Sequence, residues 1–101
     1  ERLKELKLRR DLLVNGLNDI PGMRCVLPEG SFYAFPNISG TGMTSDEYSR
    51  KLLQDSGVCV LSGNCFGKFG EGYVRLSYGS TTIEMIEKSL HKINNFREYH
   101  R

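Results

Sequence analysis

The run Gly70-Glu71-Gly72-Tyr73-Val74-Arg75-Leu76-Ser77-Tyr78 constrains this chain more than any other segment. Its glycines open a loop, and Tyr73 to Tyr78 then reads as a β-strand, rich in the Val, Leu and Tyr that pleated, half-buried surfaces favour. Such a strand needs neighbours and one covered face. Arg75 stands inside the otherwise apolar alternation. It must either reach water or meet an anion, because an unpaired buried charge is too costly. Its planar fork of donors suits a carboxylate or a phosphate. From spacing alone, an exposed-face arginine on an ordinary sheet is the favoured reading.

The rest of the chain supplies what that strand needs. Residues 1–19 read as an amphipathic helix, with Leu6, Leu13 and Ile20 seven apart and Leu3, Leu12 and Leu17 widening the stripe. Pro21-Gly22 stops it. A first strand over Met23 to Leu27, a turn at Pro28-Glu29-Gly30 and a second strand over Ser31 to Phe35 follow, ended by Pro36, which cannot donate to a ladder. Thr44 with Glu47 forms a capping-box pattern that starts a second helix, burying Tyr48 and Leu52 with Leu53 beside them, and Ser56-Gly57 closes it. Val58 to Leu61 is a short apolar strand entering the glycine-rich loop. Thr81 with Glu84 offers a second capping box, and Ile83, Ile86, Leu90 and Ile93 give the last helix one buried face. The fold class expected is α+β, ordered αββαββα, with three helices on a small antiparallel or mixed sheet of about four strands.

Length and composition fit one modest domain, with 101 residues, 39% apolar and 26% charged. A net charge of +2 is too weak to argue for nucleic acid or an anionic membrane. No apolar run approaches the roughly 18 residues of a membrane span, so a soluble chain with no membrane partner is expected. The cysteines Cys25, Cys59 and Cys65 are three, an odd set without CxxC spacing. Cys25 and Cys59 sit in apolar runs and are expected as buried free thiols of a reducing, cytoplasmic compartment, with Cys65 in the loop more exposed. His91 and His100 lie far from them, so no metal site is expected. His91 and the basic cluster Lys7, Arg9 and Arg10 read as solvated helix positions.

Gly63, Gly67, Gly70 and Gly72 do not fit a phosphate loop, since Lys68 lacks the following Ser or Thr. A dinucleotide fingerprint would pass directly into a helix, whereas a strand follows here. These glycines are expected to allow turns of positive φ that fold the loop back on the sheet.

Several segments, in order, carry a resemblance. Arg9-Arg10-Asp11, Asn18-Asp19-Ile20-Pro21-Gly22-Met23, Pro28-Glu29-Gly30-Ser31-Phe32-Tyr33-Ala34-Phe35-Pro36 and Val58-Cys59-Val60-Leu61-Ser62-Gly63-Asn64-Cys65-Phe66-Gly67 precede the arginine strand. Together they resemble the C-terminal, small domain of class I/II aminotransferases of fold type I, nearest the aspartate aminotransferase-like branch. The match runs from about Arg9 to about Phe96. It departs at Ser62, where relatives usually carry proline. The resemblance implies that residues 1–101 are one piece of a homodimeric enzyme that uses pyridoxal 5′-phosphate and exchanges an amino group between an amino acid and a 2-oxo acid. It implies that Arg75 binds the substrate α-carboxylate and that Phe32 or Tyr33 borders the substrate side chain. Closure of this domain over the substrate is implied as well.

No catalytic and no cofactor-binding residue is expected here. Transamination needs a Schiff-base lysine, an acidic partner for the pyridine nitrogen and a phosphate cup, which the family keeps in its large domain. Lys4, Lys7, Lys51, Lys68, Lys88 and Lys92 match no cofactor-lysine motif, and the chain opens inside a helix pattern without methionine. An isolated chain is therefore expected to be inactive. Tyr73 and Ser77 share the strand face of Arg75, where a hydroxyl could orient the guanidinium, and Tyr78 is a supporting or core residue. The competing reading is a stand-alone α+β binding or interaction module, because fold alone does not settle function. An RNA-binding sheet would need a basic-aromatic motif that Gly72 to Leu76 lacks, and a dimerisation module would need tight self-association.

Overall fold

The computed structural model describes residues 2–28, 32–79 and 81–99. Helix α1 (Arg2–Asn18) leads to strand β1 (Tyr33–Ala34), helix α2 (Ser45–Ser56), strands β2 (Leu61–Ser62) and β3 (Val74–Ser77), and helix α3 (Ile83–Tyr99). The sheet has three strands in the order β1-β3-β2, antiparallel throughout. The α+β class holds, with one strand fewer than expected.

The missing strand is the one expected over Met23 to Leu27. Among the described residues, its one ladder contact is an isolated bridge in which Arg24 and Asn37 exchange backbone hydrogen bonds of 3.0 and 2.6 Å. The reason lies in Asn18. Its side-chain amide donates to the Cys25 carbonyl at 2.8 Å and its oxygen accepts from the Cys25 N–H at 2.7 Å. A side chain thus takes both backbone groups that a neighbouring strand would have used. The expected turn at Glu29-Gly30 and the strand start at Ser31 lie outside the described residues.

The helices follow their local signals closely. Thr44 caps α2 by accepting from the Glu47 N–H at 3.2 Å, and Gly57, at φ 75°, closes it with a bond to the Leu53 carbonyl. Tyr48 and Leu52 are buried while Leu53 faces outward. At α3 the cap is shifted by one residue from expectation. Thr82, not Thr81, accepts from the Met85 N–H at 3.1 Å, and Glu84 instead pairs with Lys88 along the helix.

The stripe of α1 is buried only in its second half. Leu13, Val14 and Leu17 are in the core, whereas Leu3 and Leu8 are exposed. There α1 packs on α3, and Gly16 permits the approach, since a Cβ at that position would run into the Leu90 methyl groups. Ile86, Ile93 and Phe96 close the core from α3, and Val74, Leu76 and Ala34 from the inner face of the sheet. Arg9 is not the solvated helix residue its neighbours suggested. Its guanidinium is mostly covered, bonding Glu5 at 2.7 Å and the Gly79 carbonyl at 3.3 Å, so it ties α1 to the segment that follows β3.

Candidate functional site

Because β3 is the middle strand, side chains on its outer face have neighbours on both sides. Arg75 lies across from Leu61 of β2, and Tyr33 of β1 lies across from Ser77. Tyr33 is therefore a diagonal neighbour of Arg75, within reach for long side chains. The guanidinium carbon of Arg75 lies over the Tyr33 ring, 4.3 Å from its centroid, and over the Phe66 ring at 4.7 Å. Phe35 meets Phe66 edge-on, with centroids 6.1 Å apart and planes at 81°. Leu61, Tyr33, Phe35 and Phe66 all remain open to solvent, so a half-buried cation sits in an exposed apolar patch. Among the described residues, no carboxylate and no hydrogen-bond acceptor holds Arg75. Its N–H donors stay available to an incoming anion.

Phe66 reaches this patch from the tight turn Gly63–Phe66, and the turn is pinned from three directions. Ser62 accepts from the Asn64 N–H at 3.2 Å and donates to the Asp46 carboxylate on α2 at 2.6 Å. Asn64 donates to Glu71 at 2.9 Å. The other Glu71 oxygen accepts from the backbone N–H and the hydroxyl of Ser45 and from the Gly72 N–H, at 2.9, 3.2 and 3.0 Å. Ser45 also accepts from the Gly72 N–H at 2.7 Å. The Ser45 N–H, followed by the Asn64 amide, holds the Glu71 carboxyl below the usual carboxylate range. Glu71 thus joins the loop to the first turn of α2, whose free N–H groups favour an anion.

The loop glycines serve two different needs. Gly67 and Gly72 adopt positive φ, of 119° and 92°, as expected. Gly63 and Gly70 do not. They let two backbone segments touch, since a Cβ on either would overlap the carbonyl oxygen of the other.

The other expected site residues are distributed differently. Tyr33 stands against Arg75, while Phe32 is directed to a groove of about 280 Å³ formed with Leu3, Leu6, Lys7, Arg10, Pro28 and Tyr78. Tyr73 and Ser77 share the outer face but make no hydrogen bond to Arg75, and Tyr78 is in the core. His91 is exposed beside Asn95. Cys25 is buried, and burial pushes its thiol up, whereas Cys59 is exposed, contrary to expectation. The alternation of the run explains it: Val58 and Val60 face inward, which turns Cys59 out. Phe66 carried no signal in the sequence beyond an aromatic next to a loop glycine. Its partner is set by the fold.

Among the described residues, no three His, Cys, Asp or Glu side chains gather around a metal position, and no helix is long and apolar enough to cross a membrane. A Schiff-base site for pyridoxal phosphate does not fit these residues. None of the lysines is buried, Lys51 and Lys88 pair with Glu47 and Glu84, and Lys68 rests over the Phe69 ring.

Comparison with known proteins places this chain in a family. The family model for aminotransferase class I and II matches residues 1–93. The chain is 47% identical over 87 residues to an aspartate aminotransferase of Pyrococcus horikoshii, covering 86% of this chain and 22% of the relative. Among solved structures, it resembles an aromatic aminotransferase from Pyrococcus horikoshii with a TM-score of 0.90 and 41% identity, over 95% of this chain and 25% of the other. An alanine aminotransferase from Pyrococcus furiosus also has a TM-score of 0.90, at 33% identity, over 95% of this chain and 24% of its own. The chain spans about a quarter of the length of the relatives it matches. By sequence and by fold, it belongs to the class I and II aminotransferase family.

Proposed function

We propose that residues 1–101 are the C-terminal, substrate-binding domain of a pyridoxal phosphate-dependent aminotransferase, in which Arg75 binds the α-carboxylate shared by the amino acid and 2-oxo acid substrates. The observation that carries this reading is the state of Arg75: half-buried on an exposed sheet face, lying over two ring faces, and without an anionic partner among the described residues. Two ring faces cover the guanidinium, and among the described residues no carboxylate pairs with it. Here the guanidinium fork is left for a planar, singly charged ligand group. The two rings cover part of the guanidinium's faces and leave its N–H edge to the ligand.

In this reading the cofactor, its lysine and the phosphate cup come from a large domain, the enzyme is a cytoplasmic homodimer, and this domain contributes substrate positioning. Holding the carboxylate fixes the Cα–H bond relative to the cofactor, the kind of orientation worth several kcal/mol of barrier. Of the two strand aromatics, Tyr33, against Arg75, borders the substrate, whereas Phe32 faces the groove beside α1. The relatives' names span aspartate, alanine and aromatic amino acids, so the carboxylate is the shared element and the donor side chain is not assigned.

The test is Arg75→Ala and Arg75→Lys in the full-length enzyme. Losing a charge-assisted bidentate contact is expected to lower kcat/KM by about 100-fold for amino acid and 2-oxo acid alike, with cofactor absorbance unchanged. Near-normal kinetics in both variants would sink the assignment, and the stand-alone binding module would take its place.

A further inference from the structure

We infer that Phe66 is a positioning residue for the anion site, acting through Arg75 and not by touching the substrate. This rests on the carboxylate-binding reading of Arg75 and adds what holds that side chain in place. An arginine side chain has four rotatable bonds, and an unrestrained one loses much rotamer freedom when a ligand fixes it. A neighbouring carboxylate or carbonyl can pre-set such a side chain by accepting its N–H groups. Arg75 has neither among the described residues. What it has is two ring faces, Tyr33 at 4.3 Å and Phe66 at 4.7 Å from the guanidinium carbon. These rings cover part of the guanidinium's faces and leave its N–H edge for an in-plane, two-pronged contact with a carboxylate.

Phe66 is held more firmly than a half-exposed loop aromatic would be. Phe35 packs edge-on against its ring. The turn that carries it is locked by the Gly63 and Gly70 backbone contact, by Ser62 to Asp46, and by Asn64 to Glu71. The loop therefore delivers an aromatic face to a defined place above β3. Tyr33 is part of the sheet itself, so Phe66 is the half of the ring pair that the loop controls.

The experiment compares Phe66→Ala, Phe66→Leu and Phe66→Tyr in the full-length holoenzyme, alongside Arg75→Lys. Aspartate, alanine and phenylalanine serve as amino donors and 2-oxoglutarate as acceptor. The expected result is a rise in KM of about five- to tenfold for the accepted donor and the acceptor together in the Ala and Leu variants, with kcat within about twofold, the scale of one cation–π contact. Phe66→Tyr should restore the wild-type KM, because it keeps the ring face. Cofactor absorbance and melting temperature should stay unchanged in Phe66→Leu, which retains apolar volume and separates positioning from packing. Wild-type KM in Phe66→Leu, or a loss of kcat and melting temperature without a KM change, overturns the inference. If Arg75→Lys is itself near normal, the carboxylate reading fails and this one with it. If Arg75→Lys is impaired while Phe66→Leu is normal, only the role of Phe66 falls.

Discussion

Tyr48 shows what single residues in this core cost. Its ring is buried and packs edge-on against Phe96, with centroids 5.4 Å apart, yet its hydroxyl is enclosed without a hydrogen-bond partner among the described residues. Burial pushes the phenol up, so it stays protonated, with a donor that has lost water and gained nothing. Tyr48→Phe removes that hydroxyl and keeps the ring. The expected outcome in thermal or denaturant unfolding is a neutral change or a gain of about 1 kcal/mol. A loss of more than about 1 kcal/mol would mean the hydroxyl has a partner in solution. Single residues also mark the limit of what sequence patterning reveals. Arg75 was legible because a charge in an apolar alternation stands out within six residues of strand. Phe66 was not, because its contact with Arg75 depends on the path of the loop between them, and no local pattern encodes that path.

Elements were legible wherever their signals are local. The Thr44 cap, the Gly57 stop and the apolar spacing of α3 involve neighbours a few residues apart, and the fold uses them as written. Thr81 and Thr82 are the instructive exception, since both precede the helix and only the backbone decides which side chain points along its axis. Thr82→Ala is expected to cost about 1 kcal/mol and Thr81→Ala much less, as read from paired unfolding curves. Equal losses would show that the cap is shared. The strand expected over Met23 to Leu27 failed for a different reason. Its composition suits a strand, but Asn18 satisfies Cys25 from a helix end, a competition that strand propensity does not register.

At the scale of the whole molecule, Glu71 is the joint between the glycine loop and α2. Its folded-state pKa is depressed, so the stability it contributes is present above the ordinary carboxyl value of 4.5 and is lost as pH falls through the lower folded value. The wild-type chain should therefore lose stability on acidification below pH 4.5, and Glu71→Gln should lose less over the same range. Parallel acid limbs for the two proteins in melting temperature against pH would show that Glu71 is not the titrating joint. The layered α+β plan was legible because helix and strand periods alternate along the chain, whereas this joint links residues 26 positions apart and no spacing announces it. The sheet itself has one more consequence. Its outer strands, β1 and β2, are two residues each, and the four-residue strand lies between them. A stray extended peptide finds only a couple of rungs to grip on either side, too few to template further pairing. With Val26, Phe32 and Phe69 open to solvent, the described residues carry exposed apolar surface but only short sheet edges.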